Sequence, residues 1–369
     1  MLIACLIVLA FASWFLPFRY KRFFKLKKTW PWSLAVAVLL VGYFALLMSG
    51  IYTQPNAVVA VSFNILGLFS IFVLYLLAVT LVGAPVLSYL GLKIFKKKSP
   101  CSVGVLCLAV AFGFVALGWV QAQEFKVTYH EIEVAGLNKQ VSLVHLPDIH
   151  LGAQRGEKYL TKIVETVNSL GPDIVLYNGD LVDSNIALRP ELFAIFRNVT
   201  AEQYFTTGNH EFYVNTNEAL DLISKSGLKI LRSETALTNG LEIIGLEYMN
   251  ADQTSTDAHR VNDLFMNVEL PKIPRSGLPA ILVHHSPVGV SYAAQNEIAA
   301  MFSGHTHGGQ VFPGMLVVRS RFPFFKGRYQ VGKMTLLVSQ GAGTFGPWMR
   351  LGSFNEIQHV KLIPKKLGS

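Results

Sequence analysis

The first 121 residues contain no aspartate and no glutamate, although ten lysines and arginines lie among them; all 23 acidic residues of the 369-residue chain come later. The formal net charge of +9 therefore divides unevenly, with +10 on residues 1–121 and 22 minus 23, or −1, on the remaining 248. This split excludes a single uniform domain. It also excludes a generally basic nucleic-acid binder, because the surplus cations sit between apolar runs. Cysteine is scarce as well. Cys5, Cys101 and Cys107 all lie in the apolar first part, so residues 122–369 carry neither a disulfide scaffold nor a zinc site built on thiolates. Charged residues are few overall, 15% against 51% hydrophobic, a balance that leans towards a membrane protein.

What the first part has instead is apolar length. Residues 2–18, 30–52, 57–82 and 101–120 contain no Asp, Glu, Lys, Arg or His. Each is long enough to cross a hydrocarbon core as a helix, so four spans are expected over residues 1–121. Gln54-Pro55-Asn56 reads as a short turn between the second and third runs, and Gly83-Ala84-Pro85 as the end of the third. Arg19, Lys21, Arg22, Lys25, Lys27 and Lys28 separate runs one and two, while Lys93, Lys96, Lys97 and Lys98 separate three and four. The positive-inside bias puts both basic loops in the cytoplasm and the C-terminal domain, 122–369, on the extracytoplasmic side of the membrane. Trp14, Trp30, Trp32 and Trp119 near span ends suit interfacial anchoring.

From Val141 onward the pattern changes to alternating strands and helices. Strands are expected at VSLVHLP, Asp173–Tyr177, Gln203–Thr206, Ile243–Leu246, Ala280–Val283 and Leu336–Val338. Helices are expected at Glu157–Leu170 and near 190–198, 215–226, 257–266 and 288–299, whereas 122–140 and 248–279 read as loops. The order implies an α/β domain with two packed sheets. Unusual polar residues follow the strands: Asp148 and His150; Asp180 and Asp183; Asn209, His210 and Glu211; His284 and His285; His305 and His307. One such piece alone is more often a loop or a satisfied structural histidine than a ligand. Five pieces at successive strand ends, offering oxygen and imidazole and no sulfur, point to a metal centre. Asp148, His150, Asp180, Asn209, His285, His305 and His307 are too many ligands for one catalytic ion with an open position, and fit two ions sharing a carboxylate.

In order, DIH, GDLVD, GNHE, HHSP and GHTH resemble the motif series of the calcineurin-like metallophosphoesterase superfamily, over about residues 141–310. The GHTHGGQ stretch and VSQGAGTFGPWMRLGSFNEI resemble the membrane-anchored bacterial branch of that superfamily. The resemblance implies a two-sheet α/β sandwich after the transmembrane helices. It also implies one ion held by Asp148, His150 and His307, a second by Asn209, His285 and His305, and Asp180 bridging both. His285 is preferred to His284 because the family places its ligand two residues before the proline. His210 is then the group that hydrogen-bonds a phosphate oxygen or protonates the leaving group, with Asp183 and Glu211 orienting backbone or imidazole groups. Pro147 departs from the small hydroxyl residue common before the first aspartate.

The chemistry expected is phosphoester hydrolysis by a hydroxide bridging two divalent ions about 3.5 to 4 Å apart. Mixed nitrogen and oxygen ligation suits Mn, Fe or Zn. A chain held in a bilayer meets lipid headgroups, and Arg319, Arg321, Phe322, Phe324, Phe325, Lys326 and Arg328 mix cations with aromatics as an interfacial contact does. The expected substrate is therefore a phosphoester or pyrophosphate, lipid-linked or membrane-associated, with no nucleic acid partner. Two alternatives are a pyrophosphatase resembling the enzyme that cleaves a UDP-linked diacylated glucosamine in lipid A synthesis, whose substrate is cytoplasmic, and a non-catalytic metal-binding membrane sensor. Transport is disfavoured by the lack of ionisable residues within the apolar runs.

Overall fold

The computed structural model describes residues 2–49, 56–83, 85, 100–248 and 266–365. Gln54 and Pro55 of the expected turn, Ala84, the second basic cluster (Lys93, Lys96, Lys97 and Lys98) and residues 257–265 of an expected helix lie outside these. The chain forms two compact units. One comprises Met1–Tyr52, Val58–Val120 and the distant segment Gly346–Leu351; the other comprises Thr53–Ala57, Gln121–Phe345 and Gly352–Ser369.

The first unit is built of the helices Leu2–Phe24, Trp30–Ser49, Ala57–Ala78 and Pro100–Gln121. Among the described residues, three stretches are long and apolar enough to cross a membrane: Trp30–Ser49, Ala57–Gly83 and Cys101–Gln121. The helix Leu2–Phe24 is the remaining apolar run, and its last part carries Arg19, Lys21 and Arg22. The third helix widens into a π segment at Val79–Gly83. Large apolar side chains such as Val41, Val58, Ile65 and Phe112 point outward, as they do when the surrounding solvent is hydrocarbon. Polar side chains within the helices bond back one turn: Asn64 Nδ2 donates to Ala60 O at 2.9 Å and Ser70 Oγ to Leu66 O at 2.8 Å. Asn64 Oδ1 also accepts from Trp348 N at 3.2 Å, which ties Gly346–Leu351 into this unit. A Cβ on Gly118 would lie 2.5 Å from Met349 Cε, so the helix offers its glycine where that segment lies closest.

The second unit is a two-sheet α/β sandwich. In chain order its strands are β1 (Phe125–Val134), β2 (Val141–Leu146), β3 (Ile174–Asn178), β4 (Glu202–Thr206), β5 (Lys229–Ile230), β6 (Glu234–Thr238), β7 (Leu241–Gly245), β8 (Ala280–Val283), β9 (Ile298–Ser303), β10 (Gly327–Val331), β11 (Met334–Val338) and β12 (Asn355–Pro364). One sheet runs β1-β12-β2-β3-β4-β5 and the other β10-β11-β9-β8-β7-β6. Within the first, β2, β3, β4 and β5 are parallel, as are β7, β8, β9 and β11 in the second. Strand alternation decides which core each residue enters. Ile174 and Leu176 of β3 face the other sheet, in a cluster with Ile281, Phe302 and Leu337, while Val175 and Tyr177 meet the helix Glu157–Leu170. That helix ends on Gly171 in the left-handed conformation, φ 56°, as the Gly-Pro pair predicts.

Two expectations change. Residues 125–134 form β1, paired in parallel with β12, because FKVTYHEIEV alternates polar and apolar residues as an edge strand does. The helix expected over 288–299 spans only Val290–Gln295; Ile298 and Ala299 begin β9.

A polar contact crosses the apolar layer between the sheets. His145 of β2 is fully buried; its Nδ1 meets Gln358 Oε1 at 2.8 Å and its Nε2 meets Asn178 Nδ2 at 3.1 Å. Asn178 Nδ2 also reaches Phe302 O of the other sheet at 2.8 Å. These partners specify a neutral ring that donates from Nδ1 and accepts at Nε2. Burial favours the same form and pushes the His145 pKa down to about 4. The unfolded chain therefore binds a proton that the folded one refuses, so this contribution is complete above pH 6.5 and is lost as pH falls towards 4. Protonation of His145 is expected to cost about 2 kcal/mol of stability by pH 5. Thermal melts of the full-length protein between pH 7 and 5 should fall more steeply than those of His145→Gln; parallel curves would refute this account.

Candidate metal centre

The polar residues singled out in the sequence leave the carboxyl ends of five strands, where open α/β sheets gather ligands. Asp148 and His150 follow β2, Asp180 and Asp183 follow β3, Asn209 and His210 follow β4, His285 follows β8, and His305 and His307 follow β9. Five of these bend sharply. Asp148, His150, Asp180, His305 and His307 have φ of 58°, 53°, 52°, 67° and 50°. The left-handed region costs a side-chain-bearing residue about 1–3 kcal/mol and persists where surrounding contacts over-determine it.

Those contacts are visible. Glu211, fully buried, accepts hydrogen bonds from four backbone amides: Gly208 and Leu181 at 2.7 Å, Asp180 at 3.0 Å and Val182 at 3.3 Å. One carboxylate thus closes the β3 and β4 loops around itself. Asp180 Oδ1 accepts from His210 N at 2.8 Å, and both Asp148 oxygens accept from His305 N at 3.0–3.1 Å. The loops approach so closely that a Cβ on Gly208 would lie 2.2 Å from Asp180 Oδ1, and one on Gly179 would lie 2.5 Å from His285 Nδ1. Only glycine fits either position.

Three groups of side chains place their ligand atoms within 4.8 Å of one another: Asp148 with His150 and His307; Asp180 with His285 and His305; and His150, Asp180 and His210. Asp180 belongs to two of them. His150 Nε2 and His307 Nε2 are 3.0 Å apart, and His285 Nε2 lies 3.2 Å from Asp180 Oδ2 and 3.8 Å from Asp148 Oδ1. His285 Nδ1 donates to Asn178 O at 2.7 Å, which turns Nε2 towards the carboxylates. Asn209 Oδ1 is buried without a hydrogen-bond partner. Paired imidazole nitrogens, buried carboxylates and an orphaned amide oxygen form a donor set that suits a divalent cation with nitrogen and oxygen ligands.

His284 stands apart. Its Nδ1 lies 3.2 Å from Leu246 O, and burial pushes its pKa down to about 4. Asp183 is placed between two rings, with Oδ1 at 2.7 Å from His210 Nδ1 and 3.3 Å from His150 Nδ1. Several neighbours have no local motif to announce them. The Phe345 ring lies 5.3 Å from that of His210, and Tyr248 lies within 6.0 Å of both His285 and His305. The Gln310 side chain pairs with the Phe345 backbone in both directions, donating to its carbonyl at 2.7 Å and accepting from its amide at 2.9 Å.

The charges are tightly coupled. Burial works against ionisation of Asp180, but His285 and His210 outweigh it and hold the carboxyl well below the usual carboxylate range. Asp148 moves the other way, raised by burial. Burial also opposes a charge on His285, yet Asp180 and Asp148 push its pKa up to about 10; Asp180 and Asp183 likewise bring His210 to about 9. A proton on His285 thus stands where a cation would, and metal binding has to displace it. Affinity for Mn²⁺ should therefore rise with pH up to about 10, and binding at pH 8 should release about one proton for this residue. Calorimetric titration of the chelator-treated protein in two buffers of different ionisation enthalpy measures that proton, and buffer-independent heats would contradict it.

Residues 141–309 match the model of a family described as calcineurin-like phosphoesterase. An uncharacterized metallophosphoesterase of Campylobacter jejuni is 33% identical over 240 residues, covering 64% of this chain and 63% of the relative. The chain therefore spans somewhat less than two thirds of that protein's length. A transmembrane protein with metallophosphoesterase domain from Danio rerio is 30% identical over 370 residues, covering 90% of this chain and 80% of the relative. An uncharacterized metallophosphoesterase of Aquifex aeolicus is 30% identical over 270 residues, 70% of this chain and 98% of its own length.

Proposed function

The chain belongs to the calcineurin-like metallophosphoesterases and is a phosphoesterase by that membership, and from this premise we propose a dinuclear hydrolase that acts at a membrane on a phosphoester or pyrophosphate of a lipid-linked substrate. The observation that carries the reading is that Asp180 groups with His285 and His305 on one side and reaches His150, itself grouped with Asp148 and His307, on the other, Asp180 Oδ2 lying 3.9 Å from His150 Nε2. Asp148, His150 and His307 would hold one ion and Asn209, His285 and His305 the other, with Asp180 bridging. Two divalent ions held there, of Mn, Fe or Zn, would supply Lewis acidity towards a water and the phosphoryl oxygens.

The chain's own groups do the rest. Asp180 and Asp183 outweigh burial and favour a protonated His210, and Asp183 lies 2.7 Å from its Nδ1, which leaves Nε2 to donate a proton to the departing oxygen. Asp183 fixes the ring rather than exchanging protons, because its hydrogen bonds to His150 and His210 outweigh burial and lower its pKa. Glu211 keeps the loops bearing Asp180 and Asn209 in register, so the donors are in place before substrate arrives.

The lipid link is supported by the three apolar helices and by relatives named as transmembrane proteins. The basic residues between the first two apolar runs favour a cytoplasmic loop there, and four spans would then leave the hydrolase domain extracytoplasmic at the cell membrane.

The deciding experiment is hydrolysis of bis-p-nitrophenyl phosphate and p-nitrophenyl phosphate by the full-length protein with Mn²⁺, Zn²⁺ or Mg²⁺. Asp180→Ala should lose both bound metal and turnover. His210→Ala should keep its metal and lose about 100-fold or more in kcat. Wild-type activity in Asp180→Ala, or a purified protein that binds no metal, would refute the dinuclear reading.

A further inference from the structure

The cation-aromatic stretch read from the sequence as an interfacial contact is arranged differently in the fold. Phe322 is buried and Phe324 packs on the core of the second sheet. The exposed apolar side chains lie just before them, at Phe312 (51%), Leu316 (62%) and Val317 (44%). Leu316 and Val317 belong to the helix Gly314–Arg321, which has no buried residue and ends on Arg319 and Arg321. A globular domain in water seldom keeps a helix with no fully buried residue that shows leucine and valine outward beside an exposed phenylalanine. Arginines in the last turn suit the helix dipole, but that does not account for the exposed apolar residues.

Charge points to the occupant. From Ile298 to Asn355 the sequence contains no aspartate or glutamate, while Arg319, Arg321, Lys326, Arg328 and Lys333 lie within it, besides the buried Arg350. An apolar ridge flanked by cations in an acid-free stretch of a chain with membrane-length helices matches an anionic lipid surface. The helix is also fixed to the metal-bearing loop. A Cβ on Gly309, two residues after His307, would lie 2.2 Å from Met315 Cα, so the helix backbone rests directly on that loop. The reciprocal pairing of Gln310 with Phe345 holds the same loop beside the His210 ring.

We propose that the helix Gly314–Arg321, with Phe312, is an interfacial element that lays the hydrolase domain against an anionic phospholipid surface. Leu316 and Val317 enter the headgroup–acyl boundary, and Arg319 and Arg321 meet headgroup phosphates. The loop bearing His305 and His307 is thereby held at the lipid surface. This goes beyond the hydrolytic reading, and its test does not depend on turnover.

The test uses the full-length protein in vesicles, with Cys5, Cys101 and Cys107 replaced by alanine and an environment-sensitive fluorophore attached through Leu316→Cys. Leu237→Cys, at another exposed position of the same unit, is the control. In phosphatidylcholine vesicles with about 30% phosphatidylglycerol, emission from position 316 should shift to the blue and be quenched by lipids carrying a spin label, unlike that from 237. Arg319→Glu with Arg321→Glu should move the docked population by more than about tenfold towards the undocked state. Both arginines are exposed, and circular dichroism establishes that the variant is folded. Equal signals from 316 and 237 would overturn the proposal. So would lipid quenching at 316 that is unchanged in pure phosphatidylcholine and in the double variant, since the surface would then not be read by its charge. A blue shift without lipid quenching would mean that protein covers the helix, and would overturn it too.

Discussion

Buried negative charge is the constraint that the rest of the hydrolase domain answers. Asp148, Asp180 and Glu211 lie out of water within a few residues of one another in space, with Asp183 at their margin. Three of them are answered differently. Glu211 is met by backbone amides, Asp183 by two imidazoles, and Asp180 by charged histidines until a cation takes their place. Removing any one answer leaves an uncompensated buried charge, which costs far more than an ordinary lost contact. The strained turns follow from the same demand, because only sharply bent loops bring five strand ends to one point.

The order of these dependencies explains what the sequence makes legible. A ligand that must sit beside a tight turn carries its glycine with it, so Gly179 with Asp180 and Gly208 with Asn209 are readable as local words. The side chains so marked do converge. Buried parallel strands such as Ile174–Asn178 announce themselves by continuous apolar runs. Long-range features leave no such mark. β1 is hard to read because its alternation slips at His130-Glu131, where two polar residues adjoin, and its partner β12 lies more than 200 residues away in the chain. Phe345 and Gln310 meet only in space. The phenylalanines near 322 read as surface because spacing alone does not say which face of a turn packs inward; Phe322 faces the His305 ring at 5.6 Å.

The two units also use polar groups under different rules. Within the apolar helices, Asn64 Nδ2 and Ser70 Oγ are satisfied on the preceding turn, and only Asn64 Oδ1 of the two residues takes a distant partner, the Trp348 amide. In the hydrolase domain, polar groups are satisfied across long sequence distances, His145 to Gln358 and Asn178 to Phe302 among them. The first arrangement is local and forms as each helix forms; the second depends on the finished sheet pair.

That finished state arrives late. β12 lies inside its sheet, between β1 and β2, and pairs Phe125 with Asn355 and Val134 with Pro364. During synthesis the apolar helices emerge first, and β1 and β2 emerge with an empty slot between them. The slot closes only when the last strand leaves the ribosome, bringing Gln358 to His145 and Glu356 to the amide of Gln340. The sheet that carries β2, β3 and β4 therefore stays incomplete until β12 is free to pair. A chain cut short before Asn355 would retain every proposed metal ligand, and its sheet would be left without its inner strand.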